Sequence, residues 1–298
     1  MVIANRPGAP LRVTAPAKVN LTLHVTGQRA GGYHDLDSLV VFAGIGDQIT
    51  ARPATEMSLQ VTGPFAEGVP SDGRNLMMQA AAALQEKHGI TLGAALTVDK
   101  ALPHGAGLGS GSSDAAALLH LLAKLWDVPA PARDDPLLAS LGADVPACYA
   151  APDALRMTGI GDRLAPVTGL PDFAMILVNP KTPVPTAKVF ETMAAKNNPP
   201  MEGLPEGLDF EGFCAWLGRQ RNDMTEAAKG IAPEISRALD KLQRQPLVKQ
   251  VVMSGSGATC VGLVKDMDHA RRAARAIQVS EMGWWVAPAP FLKPGMLS

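Results

Sequence analysis

The stretch Pro103-His104-Gly105-Ala106-Gly107-Leu108-Gly109-Ser110-Gly111-Ser112-Ser113-Asp114 stands between a predicted strand and a strongly apolar predicted helix. Alternating glycines let successive backbone N–H groups converge on one anion, and the positive end of the following helix faces the same point. A flexible Gly/Ser linker would explain this composition, but not its abrupt position between a strand and a helix. The stretch therefore predicts a phosphate-binding loop, called the phosphate loop below.

The sequence does not match three other glycine-rich motifs. A Walker loop needs a lysine after its last glycine, and none stands within this run or closes it. The dinucleotide fingerprint G-x-G-x-x-G fails because Ser110 or Ser112 occupies the sixth position. The nucleophile elbow G-x-S-x-G is also absent. It needs a glycine two positions before its serine, and before Ser256 that position is occupied by Ser254. Neither a dinucleotide oxidoreductase nor a serine hydrolase is favoured.

Upstream of the loop, residues 18–25 alternate between apolar and polar side chains. The period of two predicts a half-buried strand whose polar face carries Lys18, Asn20, Thr22 and His24. Downstream, residues 112–126 are apolar along most of their length, which predicts a buried helix with Ser112 or Ser113 as its N-cap.

The remaining patterns predict mixed strands and helices. Further strands are expected over residues 39–43, 57–61, 94–98, 173–178 and 284–287, with a hairpin over 248–264. Further helices are expected over residues 75–88, 136–141, 186–195, 210–219, 233–245 and 269–280. This is an α+β pattern, and the change of texture near residue 165 predicts two domains, 1–165 and 166–298.

Composition narrows the class of protein. The three cysteines, Cys148, Cys214 and Cys260, have no C-x-x-C spacing, so a disulfide framework or a zinc knuckle is not indicated. The formal net charge is −1 with dispersed basic residues, which argues against nucleic-acid binding. Prolines interrupt residues 1–16, and no apolar run approaches the roughly 20 residues that span a bilayer. We expect a cytoplasmic protein without membrane partners.

A second glycine cluster, Met253-Ser254-Gly255-Ser256-Gly257-Ala258-Thr259, joins two predicted strands. By itself it fits a tight hairpin turn as well as a ligand contact. Together with the phosphate loop it becomes a candidate second wall of a nucleotide site.

Three stretches in this order resemble the GHMP kinases: residues 16–21 (Pro-Ala-Lys-Val-Asn-Leu), the phosphate loop, and Ser254-Gly255-Ser256-Gly257. Within that superfamily the chain looks like the branch of 4-diphosphocytidyl-2-C-methyl-D-erythritol kinases. The closer match rests on residues 16–23, 31–34 (Gly-Gly-Tyr-His), 107–116, 142–146 (Gly-Ala-Asp-Val-Pro), 222–223 and 253–259. The resemblance implies a two-domain GHMP kinase fold, with a ribosomal-protein-S5-domain-2-like N-terminal half and a ferredoxin-like C-terminal half.

The resemblance also implies a reaction, in which ATP with Mg²⁺ phosphorylates the 2-hydroxyl of the cytidine-diphosphate-linked methylerythritol. No metal-ligand cluster is visible in the sequence, and Mg²⁺ follows from the ATP chemistry alone. The resemblance implies that Lys18 and Asp144 are the catalytic pair, and phosphoryl transfer to an alcohol does need a proton acceptor and nearby positive charge. From local sequence alone, Asp144 could be a helix N-cap and Lys18 a surface lysine.

By the same resemblance, binding roles follow for two groups of residues. ATP binding is assigned to Pro103, His104, Gly105, Ala106, Gly107, Leu108, Gly109, Ser110, Gly111, Ser112, Ser113 and Asn75. Substrate binding is assigned to Asn20, Tyr33, His34, Phe190 and Asp144, with Tyr33 stacking on the cytosine. Phe190 could equally be an apolar anchor of its own helix.

The chain departs from the resembled branch at two positions: Gly31 stands where an aspartate is usual, and Ser110 where glycine is more frequent. Two alternatives remain open. The chain could be another small-molecule kinase of the superfamily, acting on homoserine, mevalonate or a sugar. It could also be a non-catalytic sensor that keeps the fold, although such proteins are expected to lose Lys18 or Asp144, and both are present.

Overall fold

The structure is a computed structural model that describes residues 9–296. The described residues form eleven strands, arranged in two sheets, and nine helices, which confirms the α+β class. Residues 1–8, part of the proline-interrupted segment 1–16, lie outside the described residues. None of the described helices combines the length and apolar character needed to cross a bilayer.

The first sheet has seven strands built around one long antiparallel strand, β3, which pairs with four others. The strands are β1 (Leu11–Asn20), β2 (His24–Gln28), β3 (His34–Ala54), β4 (Ser58–Thr62), β5 (Gly93–Asp99), β6 (Leu155–Gly159) and β7 (Arg163–Pro166). Only β4 and β5 pair in parallel.

The second sheet is antiparallel, in the order β11, β8, β10, β9. Its strands are β8 (Ala174–Asn179), β9 (Gln250–Met253), β10 (Cys260–Val264) and β11 (Trp285–Pro290). The strand β8 is apolar in nearly every position and is fully buried, which is expected for a central strand covered on both faces.

The helices pack on these sheets. They are α1 (Leu76–His88), α2 (Ser110–Leu125), α3 (Pro136–Leu141), α4 (Val145–Tyr149), α5 (Thr186–Thr192), α6 (Phe210–Leu217), α7 (Thr225–Ile231), α8 (Glu234–Gln243) and α9 (Met267–Ser280). The buried helix α2 belongs to the core cluster between the first sheet and α1. This burial fixes the N-terminal end of α2, and with it the phosphate loop.

Two sequence-based predictions need correction. The strand expected over residues 18–25 is interrupted between Asn20 and His24, and its polar face is buried instead of facing solvent. The side chains of Thr22 and His24 bond to other parts of the chain, such as the Leu39 N–H and Arg221. Their polarity therefore reflects internal hydrogen bonding and not contact with water.

The second correction concerns α2, which begins at Ser110 and not at Ser112. Its N-cap is Gly109, in the left-handed conformation at φ 60°, and no side chain caps it. The structure also adds α4, α7, β6 and β7, which were not among the elements predicted from the sequence. These elements are short, and β7 has no buried residue to give it an alternating pattern.

The proposed division near residue 165 stays a prediction. The strands of the first sheet end at Pro166, and those of the second begin at Ala174. One core cluster, however, contains Val19 from the first sheet together with Leu177 and Trp216 from beyond residue 165.

Candidate active site

A cavity of about 1120 Å³ is lined by the first sheet, the phosphate loop, the start of α5 and the turn between β9 and β10. At one part of its wall lie the phosphate-loop glycines, and at another lie Tyr33, His34 and Phe190. Lys18 and Asp144 also line it. The cavity therefore brings together most of the residues that the sequence assigned to a site.

Lys18 and Asp144 form an ion pair across 126 positions of sequence, with 2.8 Å between Lys18 Nζ and Asp144 Oδ1. The Lys18 side chain is 5% exposed, whereas that of Asp144 is 42% exposed. The buried lysine therefore supports a carboxylate that is still open to the cavity. The Lys18 backbone N–H also donates to the Leu108 carbonyl at 3.0 Å, which joins β1 to the phosphate loop.

The local structure leaves the Asp144 carboxylate free for this pairing. Asp144 occupies the N-cap position of α4, but its side chain makes no capping hydrogen bond. Burial acts to lower the pKa of Lys18, and the Asp144 carboxylate more than compensates, so that the pKa is raised above its usual value. Lys18 is therefore positively charged at neutral pH and holds the carboxylate in place.

The phosphate loop has the geometry of an anion site. Gly105, Gly107 and Gly109 have φ angles of 61°, 75° and 60°, a region that favours glycine. Because no side chain caps α2, the N–H groups of its first turn remain available to a ligand. A Cβ atom added to Gly111, which lines the cavity, would meet no other atom within 4 Å. These features fit a polyphosphate bound at the N-terminus of α2.

The second glycine turn packs directly on the phosphate loop. Ser254 Oγ donates to the Gly107 carbonyl at 2.8 Å and accepts from the Asn20 N–H at 3.0 Å. A Cβ added to Gly107 would lie 2.3 Å from the Ser254 carbonyl oxygen, so only glycine fits there. Gly255 and Ser256 line the cavity, as the hypothesis of a second wall required.

Aromatic side chains form a different part of the wall. The His34 and Phe190 rings stack on each other, with centroids 4.2 Å apart and planes 10° from parallel. Burial, followed by the nearby Lys196, lowers the pKa of His34, so its imidazole is neutral at pH 7. Tyr33 is 66% exposed. The resemblance assigned Phe190 to substrate binding, with an apolar anchor of its own helix as the alternative; in the structure Phe190 contacts His34 and also packs against the core.

Asn20 lines the cavity, and one of its buried polar atoms is unpaired within the described part of the chain. Its Nδ2 donates to Ser38 Oγ at 2.8 Å, and its buried Oδ1 has no hydrogen-bond partner among residues 9–296. A buried acceptor without a partner is costly. A ligand donor at this position would satisfy it.

Comparison with known proteins identifies the family of this chain. Residues 75–151 match the GHMP kinases N terminal domain, and residues 201–280 match the GHMP kinases C terminal model, together more than half of the chain. The chain belongs to the GHMP kinase family.

A relative from Jannaschia sp. (strain CCS1), named 4-diphosphocytidyl-2-C-methyl-D-erythritol kinase, is 48% identical over 285 residues, covering 96% of this chain and 99% of the relative. A solved structure of a 4-(cytidine 5'-diphospho)-2C-methyl-D-erythritol kinase is 32% identical, with a TM-score of 0.76 over 95% of this chain and 99% of that one. A homoserine kinase from Cytophaga hutchinsonii shares only the fold with this GHMP kinase, at 16% identity and a TM-score of 0.64 over 98% of this chain and 97% of that one.

Four of the residues assigned to ATP do not line the cavity of this GHMP kinase: Asn75, Pro103, Leu108 and Ser113. Asn75 caps α1 by accepting from the Met77 N–H, and its Nδ2 donates to the Pro70 carbonyl. Ser113 Oγ donates to the Pro16 carbonyl. Their side chains hold the loop and its neighbours in place, and Leu76 lines the cavity beside Asn75.

The sequence analysis missed a group of polar residues beneath the phosphate loop, namely Asp47 and Lys100, which bond to Ser110 and Asp114. Among the residues that the structure describes, no group of three or more His, Cys, Asp or Glu side chains could hold a metal ion.

Proposed function

We propose that this kinase transfers the γ-phosphoryl group of ATP to the 2-hydroxyl of 4-diphosphocytidyl-2-C-methyl-D-erythritol. One observation carries the proposal: the Lys18–Asp144 pair lines the same cavity as both the phosphate loop and the His34 and Phe190 rings. The relatives that cover nearly the whole chain carry the name of this reaction.

ATP supplies the phosphoryl group, and the Mg²⁺ that accompanies it would neutralise charge on the phosphate oxygens. The backbone N–H groups of residues 105–112 would hold the phosphates at the positive end of α2. Asp144, with its exposed carboxylate, would orient the acceptor hydroxyl and take up its proton. The positively charged Lys18 would hold the Asp144 carboxylate in place and add positive charge near the transferred group.

The other part of the wall suits a nucleoside. The aromatic faces of His34 and Phe190, together with the exposed Tyr33, offer surfaces on which a cytosine ring can stack. The buried Nε2 of His34 has no partner among the described residues, so a polar edge of the base could bond to it. Asn20 Oδ1 would accept a hydrogen bond from the acceptor.

The three cysteines are free thiols and buried, which suits a reducing compartment. We propose that the protein works in the cytoplasm, where ATP is available.

The proposed function can be tested by incubating the purified protein with Mg-ATP and a set of acceptors, and identifying the products by mass spectrometry. The set contains the cytidine-diphosphate-linked methylerythritol, homoserine, mevalonate and galactose. We expect one added phosphoryl group on the first acceptor, with kcat/KM far above the others. A clear preference for another alcohol would assign the chain to a different branch of the GHMP kinases.

A further inference from the structure

Four polar side chains are buried together at the base of the phosphate loop: Asp47 on β3, Lys100 just after β5, and Ser110 and Asp114, which end the loop sequence and lie on α2. We call them the buried cluster. Lys100 Nζ donates to Asp47 Oδ2, Ser110 Oγ and Asp114 Oδ2, each at 2.5 Å. Ser110 Oγ in turn donates to Asp47 Oδ2 at 2.8 Å. Each residue is 6% exposed or less.

The buried cluster joins the two ends of the phosphate loop. Asp47 Oδ1 accepts from the backbone N–H groups of Ala101 and Leu102 at 2.7 and 2.8 Å, immediately before the loop begins. Ser110, which bonds to the other oxygen of the same carboxylate, is the residue at which the loop passes into α2. The Asp47 carboxylate therefore holds together the residues on either side of the stretch from Pro103 to Gly109.

The charges in the buried cluster do not balance when both acids are ionised, because one ammonium group faces two carboxylates. Both oxygens of Asp47 are hydrogen-bonded, whereas Asp114 Oδ1 is buried without a partner among residues 9–296. Of the two acids, Asp114 can therefore gain or lose a proton with the smaller disturbance of existing hydrogen bonds.

We propose that the buried cluster positions the phosphate loop, and that binding of a nucleoside polyphosphate is linked to uptake of a proton at Asp114. This inference rests on the proposed nucleotide site. An anion bound at the N-terminus of α2 lies on the same helix end as Ser110 and Asp114, so it disfavours the excess negative charge of an ionised Asp114. A proton on Asp114 removes that excess.

The surroundings of Asp114 place this proton exchange in the neutral range. Burial raises the pKa of Asp114 to about 7, Lys100 acts to lower it, and Asp47 acts to raise it. The Cys148 thiol on α4 also lies near Asp114, and it is in turn close to the Lys18–Asp144 pair; burial raises the pKa of Cys148, so that it carries no charge at neutral pH. A bound polyphosphate raises the pKa of Asp114 further.

The linkage can be measured by calorimetric titration with a non-hydrolysable ATP analogue, in buffers of different ionisation enthalpy between pH 6 and pH 8.5. For the wild type we expect net proton uptake near pH 7.5, and an affinity that falls roughly three- to tenfold between pH 6.5 and pH 8.5. In Asp114→Asn both the proton uptake on binding and the pH dependence of the affinity should be smaller. Because ionisation of the nucleotide is the same for both proteins, the difference between them reports on Asp114.

Equal proton uptake in the wild type and Asp114→Asn, with nucleotide still bound, would overturn the inference and leave the proposed function standing. A wild type that binds no ATP analogue would overturn both. A second variant, Ser110→Ala, keeps every charge but removes the hydroxyl that ties α2 to Asp47. We expect it to weaken nucleotide binding severalfold more than it weakens acceptor binding, with Ser140→Ala on the exposed surface of α3 as the control. Unchanged nucleotide affinity in Ser110→Ala would contradict the positioning role.

Discussion

Lys18 Nζ lies 2.8 Å from Asp144 Oδ1, and this contact joins the buried strand β1 to the start of the short helix α4. The pair is asymmetric, with a buried cation and a carboxylate that faces the cavity. A surface ion pair would contribute little. In the proposed mechanism this arrangement holds the Asp144 carboxylate where the acceptor hydroxyl is to be deprotonated.

Replacement of Lys18 should impair turnover more than folding. In Lys18→Met the length of the side chain is largely kept while its charge is lost, so Asp144 loses its partner and kcat should fall by roughly 10². Steady-state kinetics and thermal unfolding check this, with Lys249→Met on the surface as the control. A lower melting temperature at normal kcat would make Lys18 a structural residue only.

Substitution in the phosphate loop should separate ligand contact from loop packing. In Gly111→Ala the added methyl group points into open cavity space, so we expect nucleotide affinity to fall roughly tenfold with little change in melting temperature. Gly107→Ala should lower both, because the methyl group meets the Ser254 carbonyl and φ is positive. Gly230→Ala on α7 is the matched control, since its methyl group also meets no other atom within 4 Å. Unchanged nucleotide binding in Gly111→Ala would remove the first turn of α2 from the site.

Replacement of Tyr33 should weaken binding of the acceptor and leave binding of ATP unchanged. Base–aromatic stacking is worth about 1–3 kcal/mol by alanine substitution, so Tyr33→Ala should raise KM for the cytidine substrate by roughly 5- to 150-fold and leave KM for ATP nearly unchanged. Tyr33→Phe keeps the ring and should lose much less. An acceptor KM within about twofold of wild type in Tyr33→Ala would exclude stacking.

The buried Asp114 should also affect stability. Its folded-state pKa of about 7 lies above its ordinary value of 3.8, so its contribution is fully present below pH 3.8 and is lost as pH rises through 7. We therefore expect the melting temperature of Asp114→Asn, relative to wild type, to be higher at pH 8.5 than at pH 5. A difference independent of pH would show that Asp114 does not titrate in this range.

Much of the fold was predictable because its signals are local. The apolar run of α2 and the positions of α1 and α3 follow from period, caps and proline. The polar face of residues 18–25 was misinterpreted, since a period of two is the same whether the polar side chains meet water or bond inside the protein.

The candidate site was predictable only in part. The roles of Lys18 and Asp144 came from the resemblance, and no spacing rule joins residues 126 positions apart. Nothing in the sequence indicated that Asp47 and Lys100 lie together beside the site, because their contact depends on the register between β3 and β5. That register pairs Gln48 with Asp99 and so sets Asp47 beside Lys100. The sequence marked Ser110 as a departure, and the structure shows the hydrogen bonds that its hydroxyl makes.

The Asp144→Asn variant tests the proposed mechanism most directly, with kcat, both KM values and melting temperature measured on the same preparation. The asparagine keeps the shape of the side chain but cannot take up the acceptor proton. We predict that kcat falls by roughly 10² or more, while both KM values and the melting temperature stay close to wild type. Turnover near the wild-type rate would contradict the account, because it would remove Asp144 from the transfer step.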